Sequence, residues 1–198
     1  MEEESPVIQA VRHIVQEWID KGKWNSSLYL GTMDITKLPE NLFANCPQLQ
    51  NVCLSHNQLT TIPENLFVKC PQLRIVYLDN NRLTTLPENL FANCPQLRLV
   101  ALDNNQLTAL PKKLFANCPQ LQWVYLYNNQ LTTLPENLFA NRSQLYMVCL
   151  GNNQLTTLPE NIFANCPQLK RITFDDNLVY EILYNLQNLD ELCFGYEA

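Results

Sequence analysis

Apolar residues recur along this chain with two interleaved rhythms. In Leu73–Leu83, Val76 and Leu78 alternate with Ile75 and Tyr77, the period-2 signature of a short strand with one buried face. Val76 and Leu78 are predicted to point inward, and Ile75 and Tyr77 outward. Next comes "LTTLPENLFANCPQ", beginning at Leu83. Its Pro suits a first helical turn, helix formers follow, and a second Pro ends the segment. This predicts a short helical turn that carries the chain back to the next strand.

The same unit recurs every 24 residues, with copies of the return segment beginning at Ile35, Leu59, Leu107, Leu131 and Leu155. Between them, "LQNVCLSHNQ", "LRIVYLDNNR", "LRLVALDNNQ", "LQWVYLYNNQ" and "LYMVCLGNNQ" all fit L-x-x-L-x-L-x-x-N-x-L. Full repeats start at Asn25, Leu49, Leu73, Leu97, Leu121, Leu145 and Leu169; a truncated one starts at Leu189. A period in this range is the mark of a solenoid, in which each repeat buries its apolar face on its neighbours. Phe43, Phe67, Phe91, Phe115, Phe139 and Phe163 are expected to stack as one spine. Asn57, Asn81, Asn105, Asn129, Asn153 and Asn177 recur in register with core leucines, so their amides must be hydrogen-bonded. They are expected to satisfy backbone groups where each strand turns away.

The pattern resembles the leucine-rich repeat family over about residues 25 to 195. That resemblance implies an α/β fold: a curved solenoid with a concave parallel sheet and short helical turns on the convex side. The expected organisation is one structural domain. Residues 1–24 form an N-terminal capping helix, 25–188 the seven repeats, and 189–198 the truncated repeat and C-terminal cap. The cap is legible in Ser5-Pro6, an N-cap followed by Pro at the first helical position, in the apolar face of Val7, Val11, Ile14 and Trp18, and in Gly22 as a stop. "VYEILYNLQNLDELCF" is expected to seal the other end.

Charge and composition narrow the function. A net charge of −6 disfavours a general nucleic-acid binder. No apolar run approaches membrane-spanning length, and the acidic "MEEESPVIQAVRHIVQEW" is unlike a Sec signal peptide. Five of the eight cysteines (Cys46, Cys70, Cys94, Cys118, Cys166) share one repeat position, where neighbouring convex segments pack about 8–10 Å apart, too far for a disulfide. Reduced thiols in a cytosolic setting are expected, and Asn25-Ser-Ser and Asn141-Arg-Ser carry little weight as glycosylation sites. No Walker loop, H-E-x-x-H, G-x-S-x-G or C-x-x-C occurs. Cys53 and His56 stand about 10 Å apart along a strand, beyond the reach of a nucleophile–base pair. Neither an enzyme, a cofactor nor a metal is expected.

The repeats differ where they face outward. Position 3 carries Ile75, Leu99, Trp123 and Met147; position 5 carries Tyr77, Ala101, Tyr125 and Cys149. With Tyr127 and Tyr146 these make an apolar, aromatic centre to the concave face, flanked by Arg74 and Arg98 at position 2 and Asp79 and Asp103 at position 7. Such a patch with a polar rim marks an interaction site, and Trp, Tyr and Met are typical of interface centres. The expected binding residues are Ile75, Tyr77, Leu99, Trp123, Tyr125, Tyr127, Tyr146, Met147, Arg74 and Arg98, acting from a monomer on a protein partner. The plain "LTTLPENLF" segment, the helical cap and the missing cysteine clamps are similar to leucine-rich effectors of host-associated bacteria that carry no enzymatic domain. That likeness implies a host-protein partner and a cytoplasmic or translocated location. An adaptor in a ubiquitin-ligase system, and a repeat protein without a specific partner, stay open as alternatives. The convex segment is also similar to that of lamprey variable lymphocyte receptors and of designed repeat proteins.

Overall fold

The computed structural model describes residues 4–22 and 27–174, and the backbone of 191–194. One helix, α1 (Pro6–Asp20), precedes eight strands: β1 (Leu28–Tyr29), β2 (Asn51–Cys53), β3 (Ile75–Tyr77), β4 (Leu99–Ala101), β5 (Trp123–Tyr125), β6 (Met147–Cys149), β7 (Arg171–Phe174) and β8 (Glu191–Phe194). They form a single parallel sheet in sequence order. From β1 to β7 each residue lies beside its counterpart one repeat on, as in Ile75↔Leu99↔Trp123. Arg171 then lies beside Glu191, so the last register step is the shortened one that "LDELCF" implies. Asn177 and the expected C-terminal seal lie outside the described residues, apart from the backbone of β8.

Backbone pairing runs further than the strands. Arg98 N–H donates to Arg74 O before β4, and Leu102 N–H and Asn104 N–H donate to Tyr125 O and Tyr127 O after it. The return segments are chains of single turns with three-residue spacing, such as Leu66 N–H to Pro63 O, Cys70 N–H to Phe67 O and Leu73 N–H to Cys70 O. This tighter 3₁₀-type winding suits pieces only a few residues long.

Inside, the alternation holds: Val76, Val100, Val124 and Val148 and the leucines two residues on are buried. The phenylalanine spine is continuous from Phe43 to Phe163, with ring centroids 5.6 to 6.1 Å apart and stacked planes. Each such pair contributes about 0.5–1.5 kcal/mol beyond the area it buries.

The asparagines join one repeat to the next. Asn105 Oδ1 accepts from Leu83 N–H at 2.9 Å, and its Nδ2 donates to Leu78 O at 3.0 Å and Leu102 O at 3.1 Å. Asn57, Asn81, Asn129 and Asn153 make the same three bonds at the same offsets. Each amide therefore binds its own strand end and two backbone groups of the preceding repeat. Met33 stands where the first repeat would have its Asn, and no earlier repeat needs the clamp; its N–H donates to Asn57 Oδ1 instead.

The cysteine ladder is more than filler. Cys70, Cys94, Cys118 and Cys166 donate their thiols to the carbonyls of Phe43, Phe67, Phe91 and Phe139. Burial pushes the Cys46 thiol up to about 11 and the Cys70 and Cys118 thiols up to about 12. None of the seven cysteines with described side chains forms a disulfide. At the broken rung, the Arg142 guanidinium reaches Ala116 O at 3.4 Å instead.

At the N-terminus, Ser5 Oγ accepts from Ile8 N–H, Gly22 adopts φ 58°, and Val11, Val15 and Trp18 are buried in the same core as the repeats. The helix is a cap packed on the first repeat.

Two outcomes follow. Asn105→Leu leaves the Leu83 N–H without its partner and takes one of two amide donors from each of Leu78 O and Leu102 O, which keep Asn81 Nδ2 and Asn129 Nδ2; at about 1–3 kcal/mol per buried orphan, denaturant unfolding should show a loss in that range. A loss under about 1 kcal/mol would show that the amide clamp is dispensable. In native protein, iodoacetamide at mildly alkaline pH should leave Cys70, Cys94 and Cys118 unmodified while Cys53, half-buried on the concave face, reacts. Mass mapping that finds the ladder thiols alkylated at the same rate as Cys53 contradicts this burial.

Candidate functional site

The concave face is built by the outward positions of β2 to β7 and the residues bordering them. Tyr77 and Tyr146 are exposed at 38% and 39%. Ile75, Leu99, Trp123, Tyr125, Tyr127 and Met147 are half-buried. Ala101 and Cys149 also stand at outward positions, yet both are buried. They are small residues on either side of Tyr125 in the sheet, covered by their larger neighbours. Six of the eight predicted apolar residues thus occupy outward positions of β3 to β6, with Trp123 and Tyr125 on β5, while Tyr127 and Tyr146 border the strands. The most exposed aromatic among the described residues, Tyr29 at 71%, sits apart on β1.

Arg74 and Arg98 lie at the entry margin of β3 and β4. Arg74 is half-buried with an unbonded Nε, Arg98 is exposed, and neither side chain is neutralised across the sheet. Asp79 and Asp103 lie at the opposite margin. Ser55 Oγ donates to Asp79 Oδ1 at 2.6 Å, Asn80 Nδ2 donates to its other oxygen, and Tyr127 N–H donates to Asp103 Oδ1 at 2.9 Å. Burial pushes the Asp103 carboxyl up to about 7, with Asp79 adding to the rise and the Tyr127 N–H opposing it. Tyr125 is also raised, chiefly by burial.

Beyond the acidic margin runs a short ladder that sequence reading missed. Asn152 Nδ2 donates to Asn128 Oδ1, and Asn128 Nδ2 to Asn104 Oδ1, each at 2.7 Å. These residues and Asn80 hold φ of 53–55°, a left-handed conformation that Asn tolerates better than other side chains. Their recurrence was the available signal: the backbone at this point needs Asn, whatever the face binds. The Cys53 thiol is directed to Ser55 Oγ at 3.6 Å, while His56 is solvent-exposed.

With this face in place, comparison with known proteins identifies its scaffold. The family described as BspA type leucine-rich repeat region matches residues 26–122 and 80–189, in six copies. The chain belongs to the BspA-type leucine-rich repeat family. Its fold is similar to the leucine-rich repeat domain of APL1B, at TM-score 0.67 and 21% identity over 98% of this chain and 69% of that one. It is also similar to a chain in the structure of the Drosophila Toll–Spatzle complex, at TM-score 0.58 and 26% identity, covering 81% of this chain and 25% of that one. No curated protein matches the sequence.

Within this BspA-type array the raised Asp103 carboxyl gives a pH signature with a definite sign. The folded state holds the proton up to about pH 7, whereas an unfolded Asp releases it near its ordinary value of about 3.9. Stability contributed by this site therefore falls as pH rises between those values, then levels off. Asp103→Asn keeps an acceptor for Tyr127 N–H and removes the charge. Its melting temperature should exceed wild type at pH 7.5, and the gap should close toward pH 4. A constant gap across that range would assign the effect to something other than this carboxyl.

Proposed function

We propose that this protein is a non-enzymatic recognition module that binds a protein partner through the centre of its concave face, around Trp123 and Tyr125. The observation that carries the reading is the placement of eight apolar and aromatic side chains, partly open to solvent, on and bordering a sheet whose opposite side is fully committed to the core. An exposed apolar patch with a charged rim marks an interaction site. Aromatic anchors with few rotatable bonds lose little entropy when they dock. A sheet of this extent can supply the roughly 800 Å² per partner that stable association needs. A chain similar to this one occurs in the complex of Toll with Spatzle, which supports the reading.

A finer version takes the partner to be a host protein and this chain a translocated bacterial effector acting in host cytosol. The plain convex segment and the cysteine-free helical cap support it.

The test is affinity capture from eukaryotic lysate with quantitative mass spectrometry, comparing wild type with Trp123→Ala/Tyr125→Ala. Both side chains are half-buried on the outer face, so circular dichroism should show the variant folded. A specific protein should be retained by wild type and reduced at least about tenfold by the double variant, the effect of losing roughly 1.4 kcal/mol at a hot spot. A partner whose retention ignores both substitutions would move the site away from the concave centre. Capture of ubiquitin-conjugating machinery would favour an adaptor role.

A further inference from the structure

The concave face carries four ionisable side chains that no opposite charge of the fold neutralises among the described residues. Arg74 and Arg98 stand side by side at one margin, Asp79 and Asp103 at the other, and none makes an ion pair among the described residues. Like charges on neighbouring strands are unfavourable. Arg74 Nε is buried without a partner, which adds a further penalty. Both pairs lie in the same two repeats, immediately before the aromatic pair Trp123 and Tyr125.

Geometry limits what can relieve them. Strands β2 to β7 are hydrogen-bonded on both sides, so none offers an open edge for an added strand. What the face offers is side chains. From position 2 to position 7 is five residues, about 16 Å at 3.3 Å per residue. An α-helix with its side chains is about 10–12 Å across. Laid across the strands, it fits between the margins, with room on each flank for a side chain to reach a rim charge.

Building on the reading of this face as the protein-binding site, we propose that its occupant is an amphipathic α-helix. Its apolar stripe rests on Trp123 and Tyr125, an acidic flank faces Arg74 and Arg98, and a basic flank faces Asp79 and Asp103. The charges then select both the partner and its orientation: reversing the helix end for end exchanges its flanks and sets like against like. The arrangement also couples docking to protons. The Asp103 carboxyl, raised to about 7, interacts with Asp79 and Tyr125 and with no cation among the described residues. A Lys or Arg brought beside it restores the carboxylate, so docking near neutral pH releases a proton.

The test uses the full chain and three stapled helices of about 18 residues, roughly 27 Å long. All share one Leu/Trp stripe and differ only in their flanks: Lys and Glu on opposite sides, Lys on both, or Glu on both. Fluorescence anisotropy should show the mixed-flank helix binding at least about tenfold tighter than either other, a difference of roughly 1.4 kcal/mol. Asp79→Lys/Asp103→Lys makes both rims cationic and should switch the preference to the Glu-flanked helix. Calorimetry at pH 7 in buffers of different ionisation enthalpy should report proton release with wild type and none with Asp103→Asn. Equal affinities for the three helices, or a preference unmoved by the Lys substitutions, overturns the proposal. So does a mixed-flank helix that binds Trp123→Ala/Tyr125→Ala as well as wild type. If the helices show no preference while lysate capture still depends on Trp123 and Tyr125, the helix is wrong and the concave-face reading stands.

Discussion

Everything on the concave face depends on the asparagine amide at the ninth position of each repeat. A strand of three residues is too short to hold its own register. What holds it is an amide that accepts from one backbone N–H of the previous repeat and donates to one carbonyl there and one in its own repeat, as Asn105 does with Leu83, Leu78 and Leu102. The bonds are shielded from water, with Asn57, Asn81, Asn105 and Asn129 each only 7% exposed. In that setting an unmade bond is far more expensive than a made one is favourable. No other side chain offers a planar donor and acceptor at this reach, so the position tolerates no drift. The thiols on the convex side act similarly but more weakly, each donating to a phenylalanine carbonyl of the preceding repeat.

This clamp explains how the face became free to vary. Strand spacing and register are fixed from within by Asn, Leu and Phe. Outward residues can therefore change without moving the backbone beneath them. Ile75, Leu99, Trp123 and Met147 occupy equivalent sites along the pairing ladder and differ in size and shape. A surface whose backbone is already rigid loses little entropy when it binds, which suits recognition by side chains alone.

The sequence makes the scaffold legible because each of its positions has a single physical duty repeated many times. Val76 and Tyr77 could be assigned to opposite faces from period alone, Gly22 could be read as a stop, and the truncated step before β8 could be counted. The face was harder. Its residues could be named, but exposure depends on the size of neighbours on adjacent strands. Ala101 and Cys149 are outward by position and buried in fact, because Tyr125 stands between them in the sheet. Asp103 reads as a surface acid, yet burial and Asp79 hold its carboxyl well above the usual carboxylate range. The thiol bonds and the Arg142 substitution depend on which carbonyl lies one repeat away, a distance that no linear pattern contains.

The charges are where fold and function separate most clearly. A sequence shaped only by stability would place opposite charges on neighbouring strands, or none. Here Arg74 is beside Arg98 and Asp79 beside Asp103, within two repeats whose buried residues otherwise follow the rule closely. The aromatic cluster alone has a competing explanation, since Tyr and Trp suit any pleated surface. Four ionisable side chains without an ion pair, arranged as two like pairs on opposite margins, gain nothing from that explanation. Side by side on neighbouring strands, each like pair is unfavourable in the free protein, a cost that a partner of complementary polarity would relieve. The two features are contiguous, and the strand edges beneath them are already occupied. Under the proposed reading they form one site, in which the aromatics supply the platform and the charges set its orientation.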